Sequence, residues 1–301
     1  MSELRFDDRV VIVTGAGGGL GKAHALAFAS RGAKVVVNDL GGGVDGSGGS
    51  VSAAQRVVDE IRAAGGEAIA NGASVTDFAA VQAMVQQAVD AWGRVDILVS
   101  NAGILRDKSF AKMDLEDFRL VLDVHLMGAV HCCKALWPVM TAQKYGRIVL
   151  TTSSSGLYGN FGQTNYGAAK MALVGFMQTL SIEGLKHDIR VNCLAPTATT
   201  RMTESLFPPD MLEHFGPEAV VPAMLVLAGE EAPNRTTLCA GAGGFEAAHV
   251  TLTQGAYVGR GPDAPEVLLE RLDAVRDRRG ETVPASGSEQ GANEMRLARG
   301  G

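Results

Sequence analysis

The feature that most constrains the fold is a rhythm. Short apolar runs rich in valine, isoleucine and leucine recur at 9–14, 33–38, 67–71, 95–100, 147–152, 189–194 and, more weakly, 236–240. They lack clean apolar–polar alternation, so each predicts a strand covered on both faces. The alanine-rich stretches between them, near 20–31, 51–64, 77–92, 114–143, 165–186 and 217–229, read as helices. Strands that alternate with helices imply βαβ units with right-handed crossovers, and hence a parallel sheet. The expected architecture is a doubly wound α/β domain over 1–261. Residues 262–301 follow as a helix, 266–279, and a polar tail too poor in apolar surface to order itself.

Between the first strand and the first helix, TGAGGGLG places Gly15, Gly19, Leu20 and Gly21. Glycines permit positive φ and close backbone approach, and the helix N-terminus beyond them offers free N–H groups and a positive dipole to a pyrophosphate. The second strand ends at Asp39, about 20 residues on. An acid there accepts hydrogen bonds from ribose hydroxyls and repels a ribose phosphate, which favours NAD over NADP. The following GGGVDGSGGS, 41–50, reads as a flexible loop.

Further along, SSSGLYGNFGQTNYGAAK ends with Tyr166 and Lys170 four positions apart, with Ser153 13 positions before the tyrosine. Together with Thr14-Gly15, Gly19, Gly21 and Asn101-Ala102-Gly103, this order of motifs is similar to that of the short-chain dehydrogenase/reductases over about residues 8–245. The resemblance implies a Rossmann-like single domain and hydride transfer from a secondary alcohol to NAD. It makes Tyr166 the base, Lys170 its electrostatic support, and Ser153 the anchor of the substrate oxygen. A free phenol titrates near 10, so a phenolate at neutral pH needs about 4 kcal/mol of stabilisation. By spacing, Ser154 and Ser155 are spectators. Cofactor contacts are also implied at Ser74 and Val75, where the family usually has an aspartate in place of Ser74, and at Pro196. His125 stands where most members carry an asparagine of a proton relay.

Longer stretches, among them LRFDDRVVIVTGAGGGLGKAHALAFASRGAKVVVNDLGG, NAGILRDKSF and RVNCLAPTATTRMT, resemble the branch that oxidises (3R)-3-hydroxyacyl-CoA thioesters, some members of which also act on steroid hydroxyls. A lid over 197–216 would line the substrate site with Met202, Leu206, Phe207, Met211, Leu212 and Phe215, as an acyl or sterol chain requires. Arg106 and Arg201 are open to CoA phosphates or to solvent. A steroid ring-hydroxyl dehydrogenase, a synthetic NADPH-dependent reductase and a non-catalytic nucleotide-binding scaffold are the competing readings. Asp39 argues against the reductase, and the intact Ser153, Tyr166 and Lys170 argue against the scaffold.

The remaining composition narrows partners. A net charge of −6 gives no electrostatic case for nucleic acid or an anionic membrane. No signal-peptide core, membrane-length apolar run or C-terminal targeting tripeptide stands out, so the cytoplasm is the expected location. Cys132, Cys133, Cys193 and Cys239 have neither metal-site nor disulfide-framework spacing and are expected to be buried free thiols. No metal site is expected. The 165–186 helix is apolar on nearly every face, which predicts the sheet on one side and a second subunit on the other, in a homodimer or homotetramer.

Overall fold

The computed structural model of the chain describes residues 3–43, 45–48, 52–199 and 213–300. Its first part runs β1 (Val10–Thr14), α1 (Gly19–Ser30), β2 (Lys34–Asn38), α2 (Ser52–Ala63), β3 (Glu67–Asn71), α3 (Phe78–Trp92), β4 (Ile97–Ser100). It continues α4 (Leu115–Leu122), α5 (Gly128–Gln143), β5 (Gly146–Thr151), α6 (Ser154–Tyr158), α7 (Thr164–Gly184), β6 (Ile189–Pro196), α8 (Val221–Ala228), β7 (Thr237–Gly241), β8 (Gly244–Ala248). The strands form one eight-stranded sheet in the order β3-β2-β1-β4-β5-β6-β7-β8. Pairing is parallel from β3 through β7. The chain works outward from β1 to β3 and then returns to β4 on the other side of β1. That reversal opens a crevice at the carboxyl ends of β1 and β4, where sheets of this class hold ligands.

Every residue of β1 is buried, as a strand covered on both faces must be. One face of the sheet is packed by Phe28 of α1, Val57 of α2 and Leu225 of α8. The other is packed by Met84 of α3, Leu136 of α5 and Leu173 of α7. At the opposite edge from the crevice, the fully buried guanidinium of Arg147 donates to the carbonyls of Gly229, Gly146, Asp188 and Glu230 and to the Asp188 carboxylate. The Tyr145 ring is stacked between Arg147 and Arg9, 4.2 and 4.0 Å from its centroid.

The structure departs from the sequence reading in four places. First, the sheet is not wholly parallel: β8 folds back antiparallel on β7 through a two-residue turn with Ala242 and Gly243 at φ 50 and 79. That is the type I′ hairpin geometry, and GFEAA escaped notice because it contains no β-branched residue. Second, the expected helix 114–143 is interrupted by a π-helical turn, Asp123–Met127, in which the Gly128 N–H reaches back to the Asp123 carbonyl. Third, this continuous segment, Leu115–Gln143, is long and apolar enough to cross a membrane by length and composition, contrary to the expectation that no membrane-length apolar run stands out. Here it is a core helix whose Cys132, Cys133, Leu136 and Met140 are buried in the cluster beneath the sheet.

Fourth, chain contacts separate Met1–Ala248 from His249–Gly301, so the break falls directly after β8 rather than at 261. The second unit holds α9 (Ala264–Glu270), α10 (Leu272–Arg276), α11 (Ser288–Ala298) and a bridge between Leu252 and Thr282. The tail is therefore not without structure. In α11, Gln290 donates to Glu294 one turn on at 2.8 Å, Glu289 lies in the first turn and Arg296 in the last, matching the helix dipole. All four cysteines are free; Cys132, Cys133 and Cys193 are buried, whereas Cys239 is half-exposed. Among the described residues no cluster of metal-ligating side chains is present.

Candidate active site

A cavity of about 490 Å³ opens at the crevice. It is lined by Gly15, Gly19, Leu20, Asp39, Ser74 and Val75 toward one end. Asn101, Ala102, Gly103, His125, Ser153, Tyr166, Lys170 and Pro196 continue its wall. Gly21 does not line it. It lies beneath Gly15, whose carbonyl would stand 2.2 Å from any added Cβ, so its absent side chain is what seats helix α1 against the loop. Gly15 and Gly19 take φ of 64 and 50, the left-handed region that glycine enters without strain.

The residues present fit a dinucleotide. Gly18 precedes α1 in extended conformation and no side chain caps the helix, so its first N–H groups are left for a bound phosphate. Asp39 accepts from the Gly17 N–H at 2.7 Å and the Gly41 N–H at 2.6 Å, which fixes its carboxylate at the end of β2. A Cβ on Gly17 would meet that carboxylate at 2.8 Å. Thr14, a residue sequence reasoning used only as a motif marker, organises the far wall. Its Oγ1 accepts from the Asn101 and Ala102 N–H groups at 3.0 and 3.1 Å, while the Asn101 side chain returns to the Thr14 and Gly15 carbonyls. Asn38 similarly ties β2 to the Ala73 carbonyl, just before Ser74, whose hydroxyl lies 2.8 Å from Thr76. Gly42, Gly43 and Gly46 of the glycine-rich loop also border the cavity.

The chemistry-bearing end is built on β5, α6 and α7. Ser153 is the N-cap of α6, its Oγ accepting from the Ser155 N–H, and its hydroxyl lines the cavity together with the Tyr166 phenol. Tyr166 lies in the first turn of α7. Lys170, one turn on, is buried, and its Nζ donates to the Thr151 carbonyl at 2.6 Å while lying 5.4 Å from the centre of the Tyr166 ring. Burial dominates both titrations. It pushes the phenol up to about 12, with Ser153 pulling down and Asp107 pushing up, and it brings the lysine down to about 7. Among the protein groups acting on Tyr166, Ser153 favours the phenolate, while burial and Asp107 favour the neutral phenol.

His125 sits in the π-helical turn and is buried. Its Nε2 lies 2.8 Å from the Ile104 carbonyl and 3.1 Å from the Ile104 N–H, and its ring packs edge-on against Tyr166 with centroids 5.1 Å apart. Its Nδ1 is buried without a partner. Burial, then the Lys170 charge, holds its pKa well below the ordinary value, so the ring is neutral. The contacts tie the loop after β4 to the helix, and no side chain of a proton chain touches Nδ1.

Ser155, expected to be a spectator, lines the cavity. Its hydroxyl donates to Gln163 Oε1 at 2.8 Å, and buried Gln163, which sequence reasoning passed over, borders the cavity beside Tyr166. Arg106 donates to the Asp45 carbonyl and pairs with Asp117 at 3.5 Å. Arg201 and the lid residues Met202, Leu206, Phe207, Met211 and Leu212 lie outside the described residues. Phe215 is half-buried beside Gly241.

Comparison with known proteins agrees with this geometry. A model of the short chain dehydrogenase family matches residues 9–210. Peroxisomal multifunctional enzyme type 2 of Mus musculus is 48% identical over 279 residues, covering 92% of this chain and 38% of that protein. The full-length structure of the Drosophila melanogaster enzyme of the same name superposes with a TM-score of 0.81 at 37% identity, over 98% of this chain and 50% of that one. A 7 alpha-hydroxysteroid dehydrogenase complexed with NADH and 7-oxo glycochenodeoxycholic acid gives 0.73 at 32% identity, over 81% and 98%. The chain spans between 27% and 51% of the length of the multifunctional relatives it matches. Two thirds of the sequence falls within the family model, and the cavity carries that family's residues in place; the chain belongs to the short-chain dehydrogenase family of NAD-linked oxidoreductases.

Proposed function

We propose that the protein oxidises (3R)-3-hydroxyacyl-CoA thioesters, of fatty-acyl or steroid side-chain origin, to the 3-oxo form with NAD. The observation that carries the oxidation is that Ser153, Tyr166 and Lys170 share one cavity with Asp39 and the α1 N-terminus. The thioester rests on likeness to multifunctional hydratase-dehydrogenase enzymes across most of this chain. Gly15, Gly19, Leu20 and Asp39 would hold the phosphates and adenosine ribose, and Asn101, Lys170 and Pro196 the nicotinamide end. When bound, NAD supplies the hydride acceptor and a positive charge next to the phenol. Ser153 holds the substrate oxygen by its hydroxyl, and Tyr166 removes the hydroxyl proton. Lys170, whose pKa burial lowers, adds positive charge one turn away when protonated. His125 positions the loop that carries Gly103 and Ile104, and we assign it that role in preference to a relay.

The 7 alpha-hydroxysteroid dehydrogenase likeness favours a second reading, oxidation of a steroid ring hydroxyl. Both readings keep the same catalytic residues. The test is NADH formation, followed by absorbance, with a (3R)-3-hydroxyacyl-CoA, a steroid side-chain CoA thioester and a free hydroxysteroid in parallel. Turnover of thioesters with NAD and poorly with NADP supports the proposal; turnover of the free steroid alone replaces the substrate. Silence on all three points to a non-catalytic scaffold. We further propose a cytoplasmic homo-oligomer in which the exposed Met171 and Ile182 of α7 are covered by a second copy. A monomeric sedimentation profile at micromolar protein removes that idea.

A further inference from the structure

The wall of the cavity next to Tyr166 carries a polar side chain that the hydride transfer does not use. Gln163 is 7% exposed and its backbone carbonyl accepts from the Gly167 N–H at 2.7 Å, so it opens the first turn of α7. It is the N-cap of α7, three positions before Tyr166, and both side chains border the cavity. Three neighbours hold the carboxamide. Oε1 accepts from Ser155 Oγ at 2.8 Å and from Asn160 Nδ2 at 3.1 Å, and Nε2 donates to Asp107 Oδ2 at 2.6 Å.

This arrangement leaves no choice of amide orientation. An ionised carboxylate only accepts, so the NH₂ end must face Asp107 and the oxygen must face Ser155 and Asn160. The amide carries two N–H donors, and the second has no partner among the described residues. A buried donor in a cavity wall costs free energy until something accepts from it.

We infer that Gln163 is a specificity-determining residue whose remaining N–H donates to the carbonyl oxygen of a substrate bearing that carbonyl two carbons from the reacting hydroxyl. The inference rests on the functional reading above and deepens it. A 3-hydroxyacyl thioester has this second oxygen within a few ångströms of the first. With the hydroxyl held by Ser153 and Tyr166, the carbonyl falls toward the residue one turn earlier. A plain secondary alcohol lacks the acceptor and leaves the donor unpaired. Ser155, Asn160 and Asp107 act through Gln163 as positioning residues.

The test compares two substrates of the full chain: the (3R)-3-hydroxybutyryl thioester of N-acetylcysteamine and the thioether in which CH₂ replaces the carbonyl. The readout is the ratio of kcat/KM between them. In Gln163→Met, which keeps length and removes the donor, the ratio falls about tenfold, chiefly through the thioester KM. Asp107→Asn keeps the amide but frees it to flip, and gives a smaller fall. NADH binding, followed by fluorescence, stays unchanged in both. An unchanged ratio overturns the inference alone: with equal losses on both substrates Gln163 only supports the wall, and with no loss on either it does not touch the carbonyl. A native protein that oxidises hydroxysteroids and no thioester overturns the functional reading and this inference together.

Discussion

Replacing His24 with leucine should stabilise the protein, and more so in acid. His24 lies on α1 at 1% exposure, and neither ring nitrogen has a partner. An unpaired buried donor or acceptor costs about 1–3 kcal/mol, and leucine removes both from a site of similar volume. Burial also lowers the imidazole pKa from 6.5 to about 3. The unfolded chain therefore takes up the proton first as pH falls. The neutral ring's contribution is complete above pH 6.5 and is lost progressively toward pH 3. Each pH unit in that window is worth about 1.4 kcal/mol, so by about pH 5 the histidine has cost the fold about 2 kcal/mol more than at neutrality. Urea unfolding of native and His24→Leu proteins near pH 7.5 and near pH 5 measures both terms. We expect a gain of about 1–3 kcal/mol at the higher pH, widening by about 2 kcal/mol at the lower. A gain of the same size at both pH values would refute the burial argument for the titration, and a loss at both would mean that the imidazole is satisfied in its site.

Three further outcomes follow from the site and the sheet. Tyr166→Phe should lower kcat by about 10²–10⁴ while leaving NADH binding intact, since the ring's packing on His125 survives and the proton acceptor does not; steady-state rates and fluorescence titration check this. Lys170 has a folded pKa lowered from 10.5 to about 7, so the unfolded chain binds the extra proton between these values and native stability should rise with pH across that window. In Lys170→Met the rise should be absent, which denaturation at several alkaline pH values reads directly. Arg147→Met should cost about 3–5 kcal/mol, because four carbonyls and Asp188 lose their donor; thermal unfolding should show it without any change in the KM for NAD.

What the sequence disclosed and what it withheld have physical causes. Strands such as Val10–Thr14 and Gly146–Thr151 were legible because a strand covered on both faces must be a nearly continuous apolar run, and that is a local property. Ser153, Tyr166 and Lys170 were legible because their spacing is set by one strand end and one helix. Gln163 was not, since its amide is held by Asp107, 56 positions away, and by the turn at Asn160, neither of which any periodicity brings together. The surroundings of the Tyr166 phenol were illegible for the same reason. Four positions on a helix give a distance, whereas the balance between burial, Ser153 and Asp107 depends on the assembled cavity. β8 was lost because Gly244–Ala248 contains no β-branched residue and owes its conformation to pairing with β7.

The π-helical turn at Asp123–Met127 has a consequence for how the gene can change length. Such a turn is an α-helix carrying one surplus residue. Deleting a single codon between 123 and 127 would restore an unbroken α-helix with its two flanks still in phase. The same loss elsewhere in α4 or α5, at 3.6 residues per turn, would rotate everything on one side of the cut about 100° against the other. His125 would then swing off Ile104 and Tyr166, or the small Gly128 would leave its seat against Val75, where an added Cβ would stand 2.7 Å from a methyl group. Point substitutions along α4 and α5 can be absorbed one side chain at a time. The loss of one residue outside the π-helical turn would misalign two walls of the cavity at once, so α4 and α5 should tolerate changes of letter far better than changes of length, and the turn itself should absorb a lost residue more readily than its flanks.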